Sequence, residues 1–161
     1  DKTMMISVTN KFIDKGNKFI CISRPRRFGK TIAGNMLSAY YSKGCDSKEL
    51  FDKLKIASQD EYKDKLNKYN VIKIDLNSEY QNTIDRNNLM EILSNKIIKE
   101  MRREFPDVEI PDEYTLAEGL LEVYSQTGQT FIIIIDEYDV LVRENVPEEL
   151  ERLLALSLPT R

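Results

Sequence analysis

Gly29-Lys30-Thr31 and Asp136-Glu137 are the two places where this sequence gathers residues able to do chemistry. The first lies in RPRRFGKTIAGNM, Arg24 to Met36, between an apolar run and a segment of helical spacing. Gly-Lys-Thr is the back half of a phosphate-binding loop, in which backbone N–H groups turn inward at a helix N-terminus and form an anion nest. In such a loop Lys30 reaches the β- and γ-phosphates of a nucleotide, and the Thr31 hydroxyl binds Mg2+. The Walker A consensus G-x-x-x-x-G-K-[ST] wants its first glycine five positions before Gly29, where Arg24 stands instead. The candidate cofactor-binding segment is therefore Arg24, Pro25, Arg26, Arg27, Phe28, Gly29, Lys30, Thr31 and Ile32. Its arginines are available to contact phosphate or to pair with Glu137 or Asp139.

The second motif ends TFIIIIDEYD, where four isoleucines lead into two carboxylates. This is a Walker B pattern, and open α/β sheets bind ligands at that end of their strands. Asp136 is the candidate Mg2+ ligand, directly or through water, so Thr31 and Asp136 form the metal pair. Glu137 would orient and deprotonate an attacking water; with Lys30 it makes up the catalytic set. Either motif alone is commonplace, since Gly-Lys-Thr occurs in ordinary loops and Asp-Glu after a strand is usually a cap. Both, in the expected order on two strand ends, point to ATP with Mg2+. Asp139 reads as a cap or ion-pair partner, and Asp75, at another strand end, as a weak candidate for lining the site.

Composition excludes other chemistry. The chain of 161 residues has no histidine, which removes Ser-His-Asp catalysis and histidine-containing zinc sites, and its 2 cysteines cannot make a four-cysteine site. Cys21 reads as a small core residue of a buried strand, and two unclustered cysteines suit a reducing cytoplasm. A net charge of -3 argues against wholesale nucleic-acid binding. No apolar run approaches the roughly 20 residues of a membrane span. With 41% hydrophobic and 32% charged residues, the chain reads as one globular domain with a core.

The elements needed to position these motifs can be read from periodicity. A helix is expected up to about Asp14, then a turn at Gly16-Asn17 and a buried strand over Phe19 to Ser23. Lys30 to Tyr41 places Ile32, Met36, Leu37 and Tyr40 at helical spacing, with Gly44 as a stop. Asp46-x-x-Glu49 and Ser58-x-x-Glu61 are capping-box patterns that would open two short helices, and Thr115-x-x-Glu118 would open another, closing near Gly128. A second strand spans Val71 to Leu76. A long amphipathic helix runs from about Asp85 to Phe105, with Lys99, Arg102 and Arg103 on a solvated face, and Pro106 ends it. Ile132 to Ile135, apolar on both faces, read as a central strand covered by helices. A last helix starts at Pro147. Alternating helices and strands give an α/β class with a mainly parallel sheet.

Together, SRPRRFGKT and IIIIDEYDVLV resemble the AAA-ATPase-like proteins of bacteria and archaea, whose Walker A reads R-P-R-R-F-G-K-[ST] and whose Walker B reads D-E-Y-D. DKT at the start, AYYSKGCDSKELFDKLKI and NVIKIDLNS resemble further family segments, so the likeness covers nearly the whole chain. The resemblance implies a P-loop NTPase core. It makes Gly29, Lys30 and Thr31 the phosphate and magnesium residues and gives Asp136 and Glu137 the Walker B roles. It implies a C-terminal PD-(D/E)XK nuclease-like domain in the complete protein. The strand bearing a polar sensor residue, which normally lies between the two motif strands, and the strand after it are expected outside these residues. Residues 1–161 then read as the N-terminal part of one nucleotide-binding domain, in which hydrolysis by the piece alone is doubtful. Alternatives stay open: a non-hydrolysing switch or self-assembly module, a basic loop for nucleic-acid phosphates, or a small-molecule kinase. ATP is the default nucleotide because no guanine-reading N-K-x-D pattern is present.

Overall fold

The computed structural model describes residues 1–13, 20–22 and 29–157 of the chain. These form two compact units: residues 1–73 with 131–136, and residues 74–130 with 137–161.

In the first unit, helix α1 (Met4–Ile13) and helix α2 (Lys30–Tyr41) share one core. Ile6, Leu37, Tyr40, Tyr41, Phe51, Ile56, Tyr62 and Leu66 are buried there. Tyr40 stands edge-on to Tyr41 and Phe51, with ring centroids 5.0 and 5.4 Å away, the arrangement favoured by ring quadrupoles. Buried hydroxyls find partners. The Tyr41 hydroxyl lies 2.6 Å from Thr9 Oγ1 and donates to Asn10 Oδ1 at 2.7 Å, while Tyr40 donates to the Tyr62 carbonyl at 2.9 Å. Short helices α3 (Lys48–Phe51) and α4 (Tyr62–Lys65), with a 3-10 turn over Lys55–Ser58, cover this core.

Neither α3 nor α4 carries the expected capping box. The N-cap of α3 is Ser47, and its hydroxyl is drawn instead to the Ala39 carbonyl at 2.7 Å. The Ser58 hydroxyl donates to the Lys55 carbonyl at 2.8 Å, closing the 3-10 turn rather than opening α4, whose N-cap is Glu61. The first box is displaced by one residue, from Asp46 to an N-cap at Ser47, and the second loses its Ser58 hydroxyl to a local bond.

Strands β1 (Asn70–Asp75) and β2 (Phe131–Asp136) form a two-stranded parallel sheet. The described part of the expected first strand, Ile20–Ile22, belongs to neither strand, while Phe19 and Ser23 lie outside the described residues, as do Asp14 and the turn at Gly16-Asn17. Cys21 is exposed, not buried as expected, because that apolar segment is not laddered into the sheet. For a similar reason β2 is not a fully covered central strand. In a two-stranded sheet its residues are mostly half-buried, and Ile133 is 36% exposed.

The second unit is built on α6 (Leu89–Glu104), whose Leu89, Met90, Leu93, Ile97, Ile98 and Met101 form the expected apolar stripe. Around it pack α5 (Leu76–Asn82), α7 (Leu116–Thr127) and α9 (Pro147–Ser157), with α8 (Val140–Arg143) against α5 and α9. A full capping box opens α7: the Thr115 side chain accepts from the Glu118 N–H at 3.3 Å, and Glu118 accepts from the Thr115 N–H at 2.8 Å. The Thr115 N–H, and then the Thr115 hydroxyl donating at 2.7 Å, hold the Glu118 carboxyl below its usual range. Gly128, with φ 67°, closes α7 in the left-handed region. The start of α6 is capped from a distance. Buried Glu149 of α9 accepts the Met90 N–H and pairs with Arg152 at 2.6 Å.

Candidate functional site

Helix α2 begins at Lys30, as its spacing predicts, with Gly29 as N-cap at φ 76°. That backbone region costs a residue with a Cβ about 1 kcal/mol or more, so the glycine is a conformational requirement. The first turn of α2 has no acidic side chain, and its N-cap, a glycine, brings no capping side chain. The N–H groups of that turn and the helix dipole present a positive end. The C-terminal end is tied down: Asn67 Nδ2 donates to the carbonyls of Ala39 at 3.0 Å and Ser42 at 2.9 Å, and the Asn67 and Tyr69 N–H groups donate to those of Tyr40 and Tyr41.

These contacts fix the direction of α2. Its end, at Ser42, forms a parallel bridge with Tyr69, just before β1, whereas mid-helix Asn35 accepts from Lys73 further along that strand. Moving backward on the helix therefore means moving forward on the strand, so α2 runs antiparallel to β1 and to its parallel partner β2. The backbone of α2 passes close to β2 at Gly34, where an ideal Cβ would lie 3.6 Å from Ile134 Cγ2. From Gly34 back to Lys30 is about 6 Å at 1.5 Å per residue. From Ile134 on to Asp136 is roughly 7 Å at 3.3 Å per residue. Lys30, Thr31 and Asp136 thus advance by similar distances toward the C-terminal end of the sheet.

Asp136 is buried, a placement that carboxylates take only with partners. Glu137 follows it with φ 54°, a left-handed conformation uncommon for a residue with a long side chain. Such strain, when found, clusters at functional positions. Its carbonyl accepts the Val140 N–H at 3.1 Å at the start of α8. Asp139 pairs with Arg143 at 3.2 Å, the ion-pair role read for it from the sequence. Asp75 accepts the Ser78 N–H at 3.0 Å and caps α5. Ile32 is 69% exposed and so leaves the apolar stripe of α2 assigned to it. Arg24, Pro25, Arg26, Arg27 and Phe28 lie outside the described residues.

One cation was not anticipated at this place. The ammonium of Lys2 lies 3.2 Å from where a Cβ on Gly29 would stand. Twenty-seven positions separate the two residues, so no local spacing could have paired them.

A family model described as "Predicted AAA-ATPase" matches residues 1–156. The chain belongs to the AAA-ATPase-like family. Membership in the AAA-ATPase-like family is consistent with ATP binding in general. No curated protein and no solved structure shows significant similarity to the chain. Among the described residues no helix is long and apolar enough to cross a membrane.

The donors present suit magnesium. Among the described residues no group of three or more His, Cys, Asp or Glu could hold a metal on its own. Mg2+ typically takes only one or two protein carboxylates, with waters and substrate phosphates completing its shell. Buried Asp136 and the hydroxyl of Thr31 are a donor set of that kind.

Proposed function

We propose that this chain is the nucleotide-binding part of a P-loop ATPase, with Gly29, Lys30, Thr31 and Ile32 around the phosphates and Asp136 and Thr31 at Mg2+. The observation supporting this most is the antiparallel run of α2 on the sheet, which brings the start of α2 and the end of β2 to one edge. The N–H groups of that first turn accept the phosphate charge, and Lys30 adds a mobile cation. Arg24, Arg26 and Arg27, next in sequence, supply further positive charge for the phosphates. Bound Mg2+ supplies charge neutralisation across the phosphate oxygens. Glu137, the residue after Asp136, takes a proton from the attacking water and holds that water in line. Hydrolysis in this reading drives a conformational change in a larger cytoplasmic protein, with a nuclease-like domain as the element it is coupled to.

The test is ATP binding and turnover by the complete gene product, Lys30→Ala and Glu137→Gln. Lys30→Ala should lose Mg-ATP affinity, while Glu137→Gln should bind and fail to turn over. Unchanged Mg-ATP affinity in Lys30→Ala would overturn the assignment. Equal turnover with and without Glu137 would remove its role as base.

A further inference from the structure

Lys2 occupies a prepared position. On one side of it, Asp1 accepts the Thr3 N–H and hydroxyl with Oδ1, at 2.8 and 2.6 Å, and the Lys55 N–H with Oδ2 at 2.8 Å. On the other side, Thr3 Oγ1 accepts the Ile56 N–H at 3.2 Å, and Thr3 is buried. The Lys2 carbonyl itself accepts the Met5 N–H at 3.1 Å in the first turn of α1. The residues flanking Lys2 are thus clasped to the start of the 3-10 turn over Lys55–Ser58. The Lys2 side chain is exposed, with its ammonium beside Gly29. Among the described residues no carboxylate pairs with it. Its neighbour is the start of α2, which lacks an acidic residue in its first turn and carries the positive end of the helix dipole. Holding an unpaired ammonium beside a positive helix end is electrostatically unfavourable until an anion arrives.

We infer that Lys2 is a second phosphate-binding cation of the nucleotide site, acting with Lys30 at the start of α2. This inference rests on the nucleotide reading above and extends it to a residue that the phosphate-loop motif does not contain. Lys2 binds the phosphate chain as a point charge, and fixing its backbone through Asp1 and Thr3 limits the ordering cost of that contact.

The experiment measures Mg-ATP affinity by titration calorimetry for the complete gene product and for Lys2→Met, Lys2→Arg and Lys30→Ala, with ligand-free melting temperature measured alongside. Lys2→Met should bind Mg-ATP about tenfold more weakly, the scale of one charge-assisted hydrogen bond. Lys2→Arg should restore most of that affinity, and the ligand-free melting temperature of Lys2→Met should not fall, since the Lys2 side chain is exposed and its charge stands beside a positive helix end. If Lys2→Met binds like the parent while Lys30→Ala does not, the role of Lys2 fails and the nucleotide site stands. If Lys2→Met lowers the ligand-free melting temperature and Lys2→Arg does not recover affinity, Lys2 is structural and the inference is wrong. Absence of Mg-ATP binding in the parent would sink the nucleotide reading and this inference together.

Discussion

Two residues in the left-handed region, Gly29 and Glu137, make opposite predictions about stability. Gly29→Ala puts a Cβ at φ 76° and near the Lys2 ammonium, and should destabilise the fold by about 1 kcal/mol in denaturant melts. Glu137→Gly relieves a strained backbone. After the entropy cost of a new glycine it should stabilise by about 0.5 kcal/mol while turnover is lost. A destabilised Glu137→Gly would show that the side chain, not the function, dictates this backbone. Away from the site, Tyr62 is a pH probe. Burial, together with its 2.9 Å hydrogen bond to Asp52, pushes its hydroxyl up to about 12. A raised folded pKa contributes stability that is complete below the ordinary tyrosine value of about 10 and is lost as pH climbs through the folded one. The stability advantage of the parent over Tyr62→Phe should therefore shrink between about pH 10 and about 12. Asp52 works in the other direction: Lys48, and then the Tyr62 hydroxyl, hold its carboxyl below the usual range. Its contribution is present above the ordinary carboxylate value and disappears as acid takes the pH through the lowered one.

The helix ends show which elements local sequence can specify. Both bounds of α2, the capping box of α7 and the stop of α6 before Pro106 are read correctly because each depends on residues within a turn of the boundary. The box at Asp46 fails because α3 is capped one residue later, at Ser47, whose hydroxyl bonds the Ala39 carbonyl, and the box at Ser58 fails because its hydroxyl closes the 3-10 turn on Lys55. Helix α5 follows the apolar run NVIKIDL and shares only Leu76 with it; its start is marked by Asp75, a good N-cap type, where apolar patterning alone continues the strand to Leu76. The cap that Glu149 supplies to α6 comes from 59 positions away and has no local signature. Glu149→Ala leaves the Met90 N–H without that acceptor and should cost about 2 kcal/mol in a denaturant melt, with Glu149→Gln costing less. Equal stability of Glu149→Ala and the parent would mean that water replaces the cap. By the same measure Thr115→Ala should cost about 1 kcal/mol.

At the scale of the molecule, the sequence carried the motifs and the α/β alternation, but among the described residues the sheet has fewer strands than alternation implied. Apolar runs announce that a segment can be buried, not which neighbours will bury it; Ile20–Ile22 and β2 differ from expectation for that reason. The direction of α2 on the sheet and the approach of Lys2 to Gly29 are long-range facts that no window of sequence contains. What joins these scales is one claim: the edge where α2 begins and β2 ends binds Mg-ATP. Titration calorimetry of Mg-ATP into the complete gene product and into Lys30→Ala tests it most directly. The parent should bind saturably and the variant should lose at least about tenfold in affinity, the scale of one charge-assisted contact. Equal affinity in the two proteins, or none in the parent, would contradict it.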